Sequence, residues 1–171
     1  MRSKPAYRIA FSGLLLALSL ALSFAEGTLP ALPMLPPGAK LGLSNIVTMY
    51  AAFFLGARQA LCIAVLKSLF VFLTRGATGA FLSLLGGLLS VCAMILLRKI
   101  PGLSVLFVSI GGAVMHNLGQ LLGAVLLLHD LKTLWYAPVL ILCGIAAGFL
   151  TGLLLRFVMP ALQRLDRNFD K

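Results

Sequence analysis

The strongest constraint on this chain is a succession of apolar runs separated by isolated basic residues and turn formers. The runs cover residues 6–25, 41–55, 59–73, 79–97, 103–128 and 134–158. A helix needs roughly 20 apolar residues to cross the hydrocarbon layer of a bilayer, and only helices or closed barrels satisfy their backbone there. Apolar residues make up 61% of the chain, charged ones only 11%, and mean hydropathy is +1.08. A single water-soluble core in 171 residues cannot hide that much apolar surface. The expected fold is an all-α integral membrane protein, one transmembrane domain over residues 1–171 with about six helices at the runs above. Runs 41–55 and 59–73 are short for a perpendicular crossing, so a bent hairpin with four or five crossings is the alternative.

The basic residues set an orientation. With the N-terminus inside, Arg2, Lys4, Arg8, Arg58, Arg98, Lys99, Arg156, Arg164, Arg167 and Lys171 fall on the cytoplasmic side. Lys40, Arg75 and Lys132 fall outside, and Lys67 lies within a run. Ten against three is a positive-inside bias, which predicts both ends in the cytoplasm and a multi-pass protein of the inner (plasma) membrane. The formal charge of +10 belongs to this punctuation rather than to a nucleic-acid surface, because no basic stripe with interleaved aromatics exists. The N-terminus also resembles a secretory signal, with Ser23-Phe24-Ala25 as a cleavage-like site. More membrane helix follows it, so it is read as a retained span. Cys62, Cys92 and Cys143 lie singly in separate runs and read as small packing residues.

A proline-rich stretch, Glu26 to Lys40, follows the first run. Its four prolines exclude a regular helix and predict an outer loop over 26–40. Small residues recur every fourth position at Gly13, Ala17, Ala21 and Ala25 in the first helix and at Gly144, Gly148 and Gly152 in the sixth. Such stripes let another helix approach closely. Two uses are open for each, packing inside the bundle or docking of a partner membrane protein.

Lys67 stands nine positions beyond Arg58, about 13 Å along a helix and near the bilayer midplane. A charge at that depth faces a partner group or a wet cavity, unless it snorkels to the interface. The fifth run carries His116-Asn117-Leu118-Gly119-Gln120, in which His116 and Gln120 share a helix face. These side chains serve either as interhelical glue or as ligand contacts. By depth, Glu26, Lys40, Asn45, Lys67, Arg75, His116, Asn117 and Gln120 all fall at the midplane or in the outer half. That predicts a cavity open to the exterior, with the proline-rich loop as its lid and an anionic or electron-rich ligand. No phosphate-binding glycine loop, no magnesium-binding acidic pair and no metal-ligand spacing is present. The chain is therefore expected to be no enzyme, to carry no cofactor or metal, and to draw any energy for transport from elsewhere.

Three segments carry a family resemblance: Pro37-Gly38-Ala39-Lys40-Leu41-Gly42-Leu43-Ser44-Asn45-Ile46-Val47-Thr48, Gly86-Gly87-Leu88-Leu89-Ser90, and Gly112-Ala113-Val114-Met115-His116-Asn117-Leu118-Gly119-Gln120. In order along the chain they resemble the Gx transporter family, also called heptaprenyl diphosphate synthase component I. That family is similar to the substrate-binding S components of energy-coupling factor (ECF) transporters. The resemblance implies an S-component-like bundle of six helices that binds a small molecule from outside. It also implies docking on a transmembrane coupling protein driven by two ATPases. In S components, alanines spaced by four on the first helix contact that coupling protein, a pattern matched here by Ala17 and Ala21, with Gly13 and Ala25 extending it. The loop after the first helix caps the ligand. Lys40, Asn45, Lys67, Arg75, His116, Asn117 and Gln120 are the expected ligand contacts. The alternatives are a noncatalytic membrane accessory of polyprenyl diphosphate synthesis and a structural subunit of a membrane complex. Expected partners are the small molecule, membrane lipid, and the coupling protein with its ATPases, with no nucleic acid among them.

Overall fold

The computed structural model describes residues 4–28 and 44–169, and the elements it describes are helical. Helix α1 spans Lys4–Thr28. Helix α2, Asn45–Tyr50, runs on as a π-helical turn, Ala51–Leu55. Helix α3 covers Ala57–Arg98 and α4 covers Val105–Leu128. A 3₁₀ turn, Leu131–Tyr136, leads into α5, Ala137–Phe169. Lys40 and most of the proline-rich stretch lie outside the described residues.

Helix α3 has 42 residues. Drawn straight it would be roughly 63 Å long, about twice the hydrocarbon thickness. Gly76 prevents that, with φ 76° and ψ −175°, a backbone region essentially reserved for glycine. Beyond Gly76 the chain doubles back. A Cβ built on Gly79 would sit 3.4 Å from Val71 Cγ1, and one on Gly87 would sit 3.4 Å from Ala64 Cβ. One residue number rises as its partner falls, so the arms 57–75 and 77–98 are antiparallel. Each arm is roughly 30 Å long.

The same test orients the other rods. Gly112 meets Met94 and Gly86 meets Gln120, so the second arm of α3 and α4 run antiparallel. Gly144 meets Val114, Gly148 meets Ile110 and Gly152 meets Leu106, which makes α4 and α5 antiparallel too. Helix α1 differs. Its residues Ile9–Leu16 line a groove with Gln59–Leu66, and Ser23 meets Arg75, so α1 runs parallel to the first arm of α3. The described part of the chain between them, Asn45–Leu55, measures only about 16 Å. It begins beside Lys67 and descends to Arg98, whose Nη1 donates to the Ala52 carbonyl at 2.7 Å. The Arg98 guanidinium also lies 5.2 Å from the centre of the Phe53 ring. Gly56, at φ 102°, closes the π turn by donating to the Ala51 carbonyl at 2.9 Å.

The two ends of the bundle therefore differ in chemistry. The end holding Arg58, Arg98, Lys99 and Arg156, here called the basic end, also carries the apolar core. Phe11, Leu15, Met49, Tyr50, Ile63, Val91, Met94, Val108 and Leu155 are all buried there. The rods present large apolar side chains outward, among them Leu73 at 78% and Phe157 at 79% exposure. A water-soluble protein would cover such a surface, whereas lipid solvates it.

Among the described residues, four helices are long and apolar enough to cross a membrane: Ile9–Thr28, Ala57–Arg98, Val105–Leu128 and Leu131–Phe157. The helical elements differ from the six expected runs in two places. Runs 59–73 and 79–97 are one helical element folded at Gly76, and the described part of run 41–55 is a short apolar helix, Asn45–Leu55. Two boundaries also move. Helix α1 continues through Thr28, so Glu26 and Gly27 are helical rather than the start of the loop. Helix α5 passes through Pro160 to Phe169 instead of stopping at 158, because the residues beyond 160 are mostly good helix formers.

Candidate functional site

Polar side chains are costly in an apolar bundle unless they are satisfied, so the satisfied and unsatisfied ones delimit the site. Lys67 is only 2% exposed. Its ammonium donates to Ser44 Oγ at 3.2 Å and to Asn45 Oδ1 at 3.4 Å. Both acceptors stand where α2 begins, because the Ser44 side chain turns to Lys67 and makes no cap bond to the helix. Neither acceptor carries charge. The compensating carboxylate is Glu26, buried on α1, which acts electrostatically on both Lys67 and Arg75.

Arg75 closes the first arm of α3. Its guanidinium donates to the Ser23 carbonyl and packs over Gly27, where a Cβ would collide with it. This contact ties the C-terminal end of α1 to the hairpin tip. Lys67, Arg75 and Glu26 thus form a half-enclosed charged group with one net positive charge, away from the basic end.

The α4 residues divide by face. Asn117 Nδ2 donates to the Leu140 carbonyl at 2.9 Å, so this side chain fastens α4 to α5. His116 and Gln120 point the other way, toward the second arm of α3 and Lys67, which acts electrostatically on His116. Two glycines make room for them. A Cβ on Gly119 would lie 2.8 Å from Gly86 Cα, so the two backbones nearly touch there. A Cβ on Gly86 would lie 2.9 Å from Gln120 Cγ and 3.0 Å from His116 Cε1. Among the described residues, His116 Nδ1 and Gln120 Oε1 are buried with no hydrogen-bond partner, as are Ser19 Oγ and Ser90 Oγ. Leaving such a group unpaired costs about 1–3 kcal/mol, whereas the buried Ser109 and Thr151 hydroxyls bond each other.

Of the seven sequence-derived ligand residues, Asn45, Lys67, Arg75, His116 and Gln120 converge around this charged group. Asn117 is on the far side of α4, and Lys40 lies outside the described residues. Ser44 and Gly86 were missed as site residues. An uncharged serine and a glycine give no signal of depth or charge, although both fall inside the family-like segments.

The four-residue stripes separate as well. Gly13, Ala17, Ala21 and Ala25 are all exposed, on the face of α1 opposite buried Leu15, Ser19 and Ser23. Gly144, Gly148 and Gly152 are buried against α4. A groove of about 340 Å³ runs beside the start of the exposed stripe, lined by Ser12, Gly13, Leu16, Cys62, Ile63 and others. It is largely apolar and sits toward the basic end, distant from Lys67.

The family model for heptaprenyl diphosphate synthase component I matches residues 15–158. A solved structure of the S component of a bacterial ECF transporter matches with a TM-score of 0.62 and 22% identity. That match covers 98% of this chain and 99% of the other. At that identity the likeness is one of fold. A comparison with curated proteins returns no match.

Proposed function

The chain belongs to the heptaprenyl diphosphate synthase component I family, and from that premise we propose that it is a membrane substrate-binding subunit of the S-component kind. It captures a small molecule from outside and depends on a partner ATPase module for energy. The observation that carries this reading is the buried Lys67 ammonium, held by Ser44 and Asn45 with Glu26, Arg75 and His116 around it. A structural lysine in lipid would be expensive to keep, whereas a binding site uses its charge. The net positive charge of the group favours an anionic ligand, with Lys40 on the adjoining stretch as a further contact.

In this reading the chain crosses six times, at α1, the segment ending in Asn45–Leu55, the two arms of α3, α4 and α5. Both termini are cytoplasmic, in the inner (plasma) membrane, so the charged group faces outward. The exposed stripe at Gly13, Ala17, Ala21 and Ala25 docks an ECF-type coupling protein, which carries the ATPases. No reaction and no cofactor is assigned to the chain.

The test is purification from its own membranes. A partner module should copurify, and a panel of vitamins and anionic precursors should raise the thermal midpoint of wild type but not of Lys67→Ala. Absence of both the partner and any ligand-dependent shift would refute the reading. The family description itself supports a second reading, a noncatalytic membrane accessory of polyprenyl diphosphate synthesis. That reading requires that added protein change the rate or product length of a prenyltransferase in vesicles.

A further inference from the structure

His116 Nδ1 and Gln120 Oε1 lie one turn apart on one face of α4, buried and without a hydrogen-bond partner among the described residues. Their environment fixes what they lack. The His116 ring packs against Gly86, its Cε1 3.0 Å from where a Cβ there would stand. In the Nε2–H tautomer of a neutral imidazole, Nδ1 presents a lone pair. Gln120 Oε1 is likewise an acceptor. Two adjacent acceptors in an apolar seam call for donors, and a resident water would need two to four polar partners of its own.

We infer that the ligand is two-ended: an anionic or acceptor end directed to Lys67 and Arg75, and an end bearing paired N–H or O–H donors directed to His116 and Gln120. This rests on the binding-subunit reading and deepens it. Cyclic ureas, aminoheterocycles and polyol edges have the required donor chemistry. A diphosphate or a bare carboxylate offers only acceptors, and an isoprenoid tail offers nothing, so neither suits the α4 side.

The test uses the purified full chain and three probes. Imidazolidin-2-one-4-carboxylate has two N–H donors and a carboxylate, its N,N′-dimethyl derivative lacks the donors, and its methyl ester lacks the charge. The parent probe at millimolar concentration should raise the thermal midpoint of wild type, and the other two should lose most of that shift. Without any probe, Gln120→Leu and Gln120→Met should raise the midpoint by about 2 °C or more, because an orphaned acceptor is removed. Both should respond less to the parent than wild type does.

The inference is overturned by a dimethyl probe as effective as the parent, by silence of all three probes, or by a lowered midpoint in both Gln120 variants. Partner copurification tests the binding-subunit reading separately. A retained partner with silent probes removes only the donor assignment, and loss of both removes the whole reading.

Discussion

The chain contains the same spacing of small residues twice, and the two copies meet opposite fates. In α5, Gly144, Gly148 and Gly152 face α4 so closely that a Cβ at Gly148 would stand 2.5 Å from Ile110 Cα. In α1, Gly13 has nothing within 4 Å of where its Cβ would be, and Ala17, Ala21 and Ala25 are exposed. A four-residue repeat says that a helix can be approached, not what approaches it. The neighbours decide. In α5 the stripe lies in a hairpin-like seam whose partner, α4, directly precedes it in sequence. In α1 the buried face is the other one, anchored by Phe11, Leu15, Ser19 and Ser23, which leaves the stripe uncovered among the described residues.

Substitutions can break or sharpen this contrast. The largest effect on stability should come from Gly148→Ala, which forces a methyl group against α4 backbone. Overpacking of that kind costs about 1–3 kcal/mol, so the thermal midpoint in detergent should fall by about 5 °C. An unchanged midpoint would mean that the α4–α5 seam is not set by its glycines. A smaller effect is expected from Ala17→Leu combined with Ala21→Leu. The midpoint should move by less than about 2 °C, while recovery of the partner module on the tagged protein falls at least about tenfold. A large drop in midpoint would place the stripe inside the fold after all. The smallest effect belongs to Gly13→Ala, where the methyl group meets open space and the helix gains propensity. The midpoint should not fall, and a fall would show that the groove beside Gly13 is already filled.

Much of the architecture was legible because lipid imposes simple rules. The runs ending at Thr74-Arg75-Gly76 and Arg98-Lys99 end there in the structure, since glycine and charge mark the same interfaces. Lys67 was placed at depth by counting residues from Arg58, and its burial follows. Three things were not legible. The start of the described α2 helix at Asn45 was not legible, because run 41–55, already short for a crossing, carries no hydropathy break there. Asn117 was grouped with His116 and Gln120, although adjacent residues on a helix point about 100° apart and so meet different neighbours. The orphaned acceptors could not be read at all, because whether a buried atom has a partner depends on the seam between two helices.

Arg98 acts at two different times in the life of the protein. While the chain is being threaded into the bilayer, it is one of the charges that hold a loop on the cytoplasmic face under the proposed orientation. Once the bundle has assembled, its guanidinium clamps the Ala52 carbonyl and covers Phe53, closing the π turn onto the far arm of the hairpin. Exchange for lysine would preserve the first duty and weaken the second, because an ammonium lacks the planar fork that serves both contacts at once. A sequence conserving only positive charge at this position would keep its orientation and lose the fastening of its shortest helix.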